Sequence, residues 1–292
     1  MTITSKINSA ILSSTNSYEV EEGEYEVGKA VVHIDKKEEF TLDFSCSKFN
    51  NDGCFLEIKN SKNVVIENLK LNSKNKNDFA IKITASSVVI KNCEISSDTA
   101  CLSINASEVK IENCDFTSQK DGNGICVYQE GVVSIKTSNF TFLKGEAITV
   151  VDNGYGMVNV NECAFKKCFA GIRSSGKNQV RITNNYFMTA SCAIGIYPSL
   201  MKKERVGADK ILILNNLFDE IPNTGKTVVE VEGDQEGEYL HGEIVVQDNI
   251  FLPQTKCAIS AYGVQKLVFK DNDVRGNEQS TVENSIINGI KA

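Results

Sequence analysis

Two glutamates separated by a single residue, Glu230 and Glu232, are the first acid–base candidates in this sequence of 292 residues. Residues at positions i and i+2 of a β-strand point to the same side, with Cα atoms about 6.6 Å apart. Glycosidases use two carboxyl groups that lie about 5–9.5 Å apart, so the spacing is compatible with such a pair. The alternative interpretation is that both glutamates are ordinary solvated strand residues.

Cationic and imidazole groups offer a second chemistry. A polysaccharide lyase needs a cation to neutralise a uronate and a base to remove the α-proton, and Arg173, Lys202 or Arg205 could supply the cation. The alternative is that Lys202, Lys203 and Arg205 form a basic loop that pairs with an acidic loop beside it. His241 ends that acidic loop and is a candidate general acid, although a lone loop histidine is more often simply solvated.

Three tyrosines accompany these groups, and their flat faces suit sugar rings. Tyr128, Tyr197 and Tyr262 all occur in short segments in which apolar and polar residues alternate. Alternation with a period of two places one set of side chains inward and the other outward. The residues predicted to share one outward patch are Tyr128, Arg173, Tyr197, Glu230, Glu232, Ser260 and Tyr262.

A repeated eight-residue pattern must position this patch. Apolar residues occupy its first, third and last positions, and Asn or Asp is usual at the fifth. The nine copies are Val64–Leu71, Val88–Ile95, Val109–Phe116, Val133–Phe140, Val158–Phe165, Val180–Phe187, Ile211–Phe218, Ile244–Phe251 and Leu267–Val274. Self-similarity at a period of this length indicates a solenoid.

Each repeat contains a strand, a bend at Asn or Asp, and a second alternating strand, which together predict one coil. We therefore predict an all-β fold, a single-stranded right-handed parallel β-helix of about ten coils that forms one domain over residues 1–292. Residues 1–50 are predicted to form an N-terminal cap and the first coils, with a short capping helix within Ile3–Leu12, and residues 275–292 a C-terminal cap. A leucine-rich repeat has a similar period, but its leucine pattern and helical stretch are absent.

Two long insertions interrupt the period. The copies that begin at Val180, Ile211 and Ile244 are 31 and 33 residues apart, whereas the other spacings lie between 21 and 25. The insertions, Pro198–Lys210 and Gly233–Glu243, follow the second strand of consecutive coils. We expect them to leave the solenoid side by side and to wall an external groove over the outward patch.

The sequence also resembles known β-helix families. The segment Ile3–Phe44, with its Glu22-Gly-Glu-Tyr25 turn, is similar to the N-terminal segment of chondroitinase-B-like and alginate-lyase-like proteins. The copies Ile211–Phe218 and Ile244–Phe251, with Leu267–Asn272, resemble the β-helix of α-1,3-galactosidases. These motifs belong to the scaffold, and they imply membership of the pectate-lyase-like superfamily without assigning a reaction.

Charge and hydropathy limit the partners. The net charge is −7 and no dense basic footprint occurs, so we predict no binding to nucleic acid. No apolar run reaches about eighteen residues, so no membrane span is predicted. The residues from Met1 to Ser14 lack the pattern of a signal peptide, which leaves two expectations open: a cytoplasmic protein, or a secreted one whose signal has been removed. The sequence does not specify an oligomeric state.

Ten cysteines and several carboxylates were considered as metal ligands or disulfides. Cys93, Cys114 and Cys163 share one repeat position, which favours reduced thiols stacked inside the solenoid over a disulfide framework. Calcium is the ion that a β-helix lyase suggests, and Asp121–Gly124 and the stretch with Asp234, Glu236 and Glu238 contain suitable oxygens. Neither stretch has a defined ligand spacing, so no bound cofactor is predicted.

The sequence therefore predicts a carbohydrate-active β-helix protein, a glycosidase or polysaccharide lyase whose partner is a polysaccharide or other glycan. The predicted catalytic residues are Glu230, Glu232, Arg173 and His241. The predicted substrate-binding residues are Tyr128, Tyr197, Tyr262, Lys202, Lys203 and Arg205. The alternative is a non-catalytic glycan-binding, adhesin or structural module.

Overall fold

The computed structural model is a parallel β-solenoid in which each coil contributes one strand to each of three sheets, here called A, B and C. The predicted β-helix is therefore confirmed. The structure describes residues 1–13, 15–74, 78–118, 120, 122–152, 154, 156–201, 204–219, 227–233, 239–252, 257–275, 281–283, 286–287 and 290–291.

Sheet A begins each repeat, and all but its last pair of strands are parallel. Its first strand pairs with the fourth strand of the chain, so coil stacks on coil throughout the described part. Its strands are Ser17–Glu19, Thr41–Asp43, Val64–Glu67, Ser87–Lys91, Glu108–Glu112, Val132–Lys136, Met157–Asn161, Gln179–Thr183, Lys210–Leu214, His241–Gln247, Val264–Lys270, Ile286–Ile287 and Ile290–Lys291. The last two are antiparallel to each other.

Sheet B follows sheet A after the bend, and sheet C completes the coil. The strands of sheet B are Glu24–Gly28, Lys48–Asn51, Lys70–Ser73, Glu94–Ser97, Asp115–Thr117, Asn139–Thr141, Ala164–Cys168, Tyr186–Thr189, Leu217–Phe218, Ile250–Phe251 and Asp273–Val274. The strands of sheet C are Val32–Asp35, Leu56–Lys59, Phe79–Thr84, Ala100–Asn105, Asn123–Tyr128, Glu146–Val151, Ala170–Ser175, Ile194–Tyr197, Thr227–Val231, Cys257–Tyr262 and Thr281–Glu283.

The bend between sheets A and B lies where the repeat places Asn or Asp. Its fifth residue has left-handed backbone geometry in each copy, as at Asn68 with φ 59° and Asp248 with φ 55°. Asn and Asp adopt this geometry more readily than other residues with a side chain. The Asn or Asp at the fifth position of the repeat therefore marks the corner of each coil.

Aromatic rings stack in the core beneath sheet B. The last apolar position of the repeat is Phe in six successive coils from Phe116 to Phe251, and these rings are fully buried. Neighbouring ring centroids lie between 4.5 and 5.2 Å apart, close to the spacing of parallel strands. The parallel register thus turns one repeated residue into a continuous apolar column.

A ladder of buried asparagines follows the bend in the later coils. Asn185, Asn216, Asn249 and Asn272 are stacked, and each of the first three donates its backbone N–H to the side-chain oxygen of the next at 2.9–3.0 Å. Their side-chain amides donate to the same oxygens at 3.0 Å. Cys93, Cys114 and Cys163 occupy the equivalent position in earlier coils.

Those thiols are reduced in the structure, since all ten cysteines are free. Burial raises the pKa of Cys163 to about 11, so its thiol is protonated at neutral pH. It donates to the carbonyl of Asn161 at 3.2 Å. The stacked cysteines therefore pack as small apolar groups with one local hydrogen bond each.

The predicted capping helix forms over Ile3–Leu12. Its buried side chains include Ile7 and Ile11. Asn8 donates to the carbonyl of Val31 at 3.0 Å and accepts from the N–H of His33 at 2.9 Å. The helix thus covers the first coil and satisfies the exposed edge of sheet C, which an uncapped solenoid would leave unpaired.

Candidate functional site

The predicted outward patch, from Tyr128 to Tyr262, lies on the outer face of sheet C, and the part of this face from Glu146 to Tyr262 is called the site face below. Arg173 is in register with Gly195, which is in register with Glu230 in the next coil, and Glu230 with Ser260. Strands in adjacent coils lie about 4.8 Å apart, so Arg173 and Glu230 are separated by about 10 Å along the solenoid axis.

Tyr197 fills the gap between these two residues. Gly195 has no side chain, and the Tyr197 ring lies across it: a Cβ atom at Gly195 would be 2.5 Å from Tyr197 Cε2. The phenolic O–H donates to Glu230 Oε2 at 2.9 Å. The guanidinium carbon of Arg173 lies 4.9 Å from the ring centroid, within range of a cation–π interaction. Arg173, Tyr197 and Glu230 therefore form a continuous cluster.

Glu146 extends this cluster by one coil. Its Oε1 atom lies 3.2 Å from Nη1 of Arg173, and the Arg173 side chain remains 46% exposed. The salt bridge orients the guanidinium while leaving much of it open to solvent. The sequence analysis did not identify Glu146. Its position at the start of a sheet C strand, one coil before Arg173, could have indicated that the two side chains are neighbours.

Burial sets the protonation of Tyr197. Loss of solvent raises the pKa of the phenol, and the neighbouring Cys192 and Glu230 raise it further. Tyr197 is therefore neutral in the physiological range and acts as a hydrogen-bond donor to Glu230. The carboxylate of Glu230 is thus held through one oxygen, which leaves the other oxygen for a ligand.

Glu232 and Tyr262 lie at the next positions of the site face. Glu232 is exposed and Tyr262 is half-buried. Val231 is in register with Ala261, so Glu232 and Tyr262 are neighbours in adjacent coils. Glu230 lies in the strand Thr227–Val231 and Glu232 directly follows it, so the predicted carboxylates are two positions apart in extended backbone, for which a Cα separation of about 6.6 Å is expected.

Tyr128 is separate from the cluster. It lies three coils before Tyr197 in the register of sheet C, about 14 Å along the axis. Burial raises the pKa of its phenol, and the adjacent Cys126 adds to this effect. The structure thus brings Tyr197 together with Arg173 and Glu230, but not Tyr128.

His241 is buried in sheet A instead of facing the predicted groove. Its Nδ1 accepts the N–H of Ala208 at 3.1 Å, and its Nε2 lies 2.8 Å from the carbonyl of Glu232, to which it donates. Burial lowers the pKa of the ring, so His241 is neutral. Both ring nitrogens are hydrogen-bonded to backbone groups, so His241 connects the backbone of Ala208 to that of Glu232. No ring nitrogen is left for the predicted proton transfer.

The described ends of the two insertions are neighbours. The first begins as an antiparallel hairpin, Ser199–Met201 with Glu204–Val206, which follows Tyr197 directly. Its return, at Ala208 and Asp209, accepts backbone hydrogen bonds from Gly242 and Glu243 at 2.9 and 3.0 Å. Arg205 is exposed on the hairpin. Lys202 and Lys203, and residues 234–238 of the second insertion, lie outside the described residues.

The acidic residues that were considered as calcium ligands, Asp121, Asp234, Glu236 and Glu238, also lie outside the described residues. Among the residues that the structure describes, no group of three or more His, Cys, Asp or Glu side chains could hold a metal ion. In the same residues, no helix is long and apolar enough to cross a membrane.

A cavity of about 710 Å³ lies on a different surface, the outer face of sheet B. Polar side chains line it, including Lys70, Asn72, Glu94 and Thr117. The sequence analysis missed this surface. Its signal was the alternation of polar residues around Leu71, Ile95 and Phe116, but alternation alone does not show that a face is concave.

Comparison with known families identifies the scaffold. A family model described as a right-handed β-helix region matches residues 30–187 and 123–291. A search of curated protein sequences gave no significant match.

Three solved structures are similar in fold. A tailspike protein of the Escherichia coli bacteriophage HK620, in complex with a pentasaccharide, is 9% identical with a TM-score of 0.59. An exopolygalacturonase from Thermotoga maritima is 16% identical with a TM-score of 0.51. The A-module of a mannuronan C-5 epimerase from Azotobacter vinelandii is 13% identical with a TM-score of 0.58.

The extent of these matches differs. The alignments cover 97%, 81% and 96% of this chain, respectively. They cover 92% of the epimerase module but only 60% of the tailspike protein and 55% of the exopolygalacturonase. This chain therefore spans less than two thirds of the latter two proteins, and at these identities the likeness is one of fold.

Proposed function

Because the chain belongs to the family of right-handed β-helix proteins, we propose that it binds a polysaccharide on the site face and cleaves it there. The observation that carries the proposal is the contact of Tyr197 with both Arg173 and Glu230. It places an aromatic face, a cation and an oriented carboxylate within two coils of one another. The aromatic face can stack on a sugar ring, the cation can bind negative charge on the substrate, and the carboxylate can transfer a proton.

The names of the similar structures support a saccharide ligand. One was solved with a pentasaccharide, one is an exopolygalacturonase and one is a mannuronan epimerase. These names describe those proteins, and their low identity to this chain transfers no residue role. The assignment of this chain to carbohydrate chemistry therefore rests on its own cluster as well.

Hydrolysis is the reaction that the two glutamates favour. In this mechanism the oriented Glu230 carboxylate attacks the sugar or activates water, while the exposed Glu232 donates a proton to the leaving oxygen. Tyr197 holds Glu230 in place through its O–H group, and Arg173 binds polar or anionic groups of the substrate. A lyase reaction would instead use Arg173 to neutralise a uronate.

The test is a screen of purified protein against neutral and uronate polysaccharides, with and without added calcium. New reducing ends without ultraviolet absorbance would identify a hydrolase, and absorbance of unsaturated products would identify a lyase. On any substrate found, Glu230→Gln is expected to lower kcat by about 100-fold or more, the range for loss of acid–base catalysis.

A matched control is Glu112→Gln, because Glu112 is an exposed glutamate on a strand of sheet A. It is expected to retain full activity. Equal activity of Glu230→Gln and Glu112→Gln would exclude a catalytic role for Glu230.

Non-catalytic glycan binding is the second candidate. It is favoured by the burial of His241, which removes one predicted proton donor from the surface. Under this alternative, Tyr197→Ala would abolish glycan binding, whereas Glu230→Gln would weaken it only modestly and no product would form from any polysaccharide.

A further inference from the structure

The cavity on the outer face of sheet B, here called the sheet B groove, is a second candidate ligand site. It extends from Lys48 to Lys166, across six consecutive strands of the sheet. At about 4.8 Å per strand this is a length of about 24 Å. Its volume of about 710 Å³ is in the range of small-molecule sites in proteins.

The charges in this groove are largely matched within the protein. Lys70 pairs with Glu94 at 2.9 Å, and Lys48 pairs with Glu24 at 2.7 Å. Asp115 accepts a hydrogen bond from the side-chain amide of Asn139 at 2.8 Å. The groove therefore presents polar groups with little net charge, which suits a neutral ligand better than a polyanion.

A column of hydroxyl groups runs beside these pairs. Ser96, Thr117 and Thr141 occupy the same position in successive coils, since Ser96 is in register with Thr117 and Thr117 with Thr141. All three line the groove and are half-buried. A hydroxyl both donates and accepts hydrogen bonds, as the hydroxyls of a sugar do.

Phe142 stands at the rim of the groove in an unfavourable state. It directly follows Thr141, its ring is 59% exposed, and its N–H bonds to the carbonyl of Lys166 at 3.1 Å. Its φ of 56° is left-handed, which costs a residue with a side chain about 1–2 kcal/mol. It is the only aromatic residue with a positive φ in the described part of the chain.

Lys167 Nζ lies 5.2 Å from the Phe142 ring centroid, and such a cation–π contact contributes about 0.5–1 kcal/mol at an exposed site, less than the cost of the left-handed backbone. Asn would fit the backbone better, as it does at many other bends of this chain, and burial of the ring would add hydrophobic stabilisation. Backbone strain combined with an exposed aromatic ring is typical of a residue retained for contact with a ligand. Phe142 directly follows Thr141, the last residue of the hydroxyl column, and a sugar that extends past Thr141 could stack on its exposed ring.

We propose that the sheet B groove binds a linear, uncharged oligosaccharide along the solenoid axis, with Phe142 stacked on a sugar ring and Thr117 and Thr141 bonded to its hydroxyls. This site is on a different sheet from the Arg173–Tyr197–Glu230 cluster and does not depend on the proposed function. It would hold a glycan without transforming it, because its two lining carboxylates are occupied: Glu94 pairs with Lys70, and Asp115 accepts a hydrogen bond from Asn139.

The test uses isothermal titration calorimetry of the full chain with three probes: cellohexaose, mannohexaose and hexagalacturonate. It is carried out on the Tyr197→Ala background, which removes the aromatic ring of the Arg173–Tyr197–Glu230 cluster. At least one neutral hexaose is expected to bind, more tightly than hexagalacturonate. Phe142→Asn is expected to weaken that binding about five- to tenfold, and Thr117→Val by about threefold.

Ala106→Asn is the matched control, because Ala106 also has a left-handed backbone, with φ 47°, but lies at the corner between sheets C and A. Both Asn substitutions are expected to keep or raise the melting temperature, so weaker binding by Phe142→Asn alone cannot come from misfolding. The proposal is overturned if neither neutral hexaose binds, if hexagalacturonate binds more tightly, or if Phe142→Asn binds as Ala106→Asn does. If the proposed function of the site face is wrong, Glu230→Gln will instead show the same activity as the unmodified protein, whatever the result in the groove.

Discussion

The site face and the sheet B groove use the same scaffold in opposite ways. On the site face, Tyr197 connects Arg173 and Glu230 and keeps the carboxylate oriented. In the groove, Lys70 and Glu94 neutralise each other, and a run of hydroxyls remains. The two surfaces have the same parallel register and differ in the residues that it stacks at outward positions: an aromatic ring between a cation and a carboxylate on the site face, and ion pairs beside hydroxyls in the groove.

Removal of the Tyr197 hydroxyl is expected to have the largest effect, because it should lower activity at the site face and leave the groove unchanged. Tyr197→Phe keeps the ring over Gly195 and beside Arg173 but loses the hydrogen bond to Glu230. We expect kcat on the substrate found by the screen to fall about 10- to 100-fold, as for loss of a charge-assisted hydrogen bond. KM should change less than twofold, and binding of a neutral hexaose to the groove should be unchanged. A larger change in KM than in kcat would contradict the orienting role.

Gly195→Ala is expected to displace the ring itself. The new Cβ would lie 2.5 Å from Tyr197 Cε2, so the ring must move and lose Arg173 or Glu230. We expect about a tenfold loss of kcat/KM, measured with the same substrate. Gly53→Ala is the control, because nothing lies within 4 Å of a Cβ at Gly53. Equal activity of the two variants would show that the position of the ring is unimportant.

His241 is expected to make the stability of the protein depend on pH. Burial lowers the pKa of His241 below its ordinary value of 6.5, so the folded chain binds this proton less readily than the unfolded chain. Its stabilising contribution is complete above pH 6.5 and is lost as the pH falls through the lowered pKa. We expect chemical denaturation to show a loss of unfolding free energy between pH 7.5 and 5 that His241→Gln lacks.

The corresponding control is ligand binding to the groove, which no described histidine lines. Its affinity for a neutral hexaose should be constant over the same range of pH in any condition where the protein is folded. A parallel loss of stability with pH in His241→Gln and the unmodified protein would show that other groups are responsible.

Salt should have the smallest effect. Because the charges of the groove are paired, its affinity for a neutral hexaose should change less than about twofold between 0.05 and 0.5 M NaCl. A uronate bound at the half-exposed Arg173 should dissociate more readily at the higher concentration. Strong salt dependence of the groove would mean that its lysines bind the ligand as free cations.

The repeat in the sequence predicted much of the fold because one period specifies both strand and bend. The alternation around Ile194–Tyr197 and Thr227–Val231 correctly placed Tyr197 and Glu230 outward, and the fifth position of each copy marked the corner. The capping helix was predicted with its observed bounds, Ile3–Leu12. These are local properties of the chain, and the parallel stacking of coils then brings equivalent residues together.

The site was only partly predictable because its contacts depend on neighbouring coils. The gap over Gly195 that receives the Tyr197 ring has no signature in one repeat. The sequence placed His241 in an exposed loop, whereas the backbones of Ala208 and Glu232 enclose it. The sheet B groove was missed because the curvature of a sheet and the height of its turns are not encoded in the alternation of side chains.

The asparagine ladder couples the later coils of the solenoid to one another through their side chains. From Asn185 to Asn272, each coil is joined to the next by two side-chain hydrogen bonds that all run in one direction. Opening one of these coils leaves a buried amide without its partner, so the neighbours should open with it. The coils that hold Tyr197 and Glu230 lie within this unit, and we expect amide hydrogen exchange to protect them as a single block. In a molecule built by adding turns one at a time, the Glu230 carboxylate thus lies in a segment whose coils are joined by side chains as well as by the backbone.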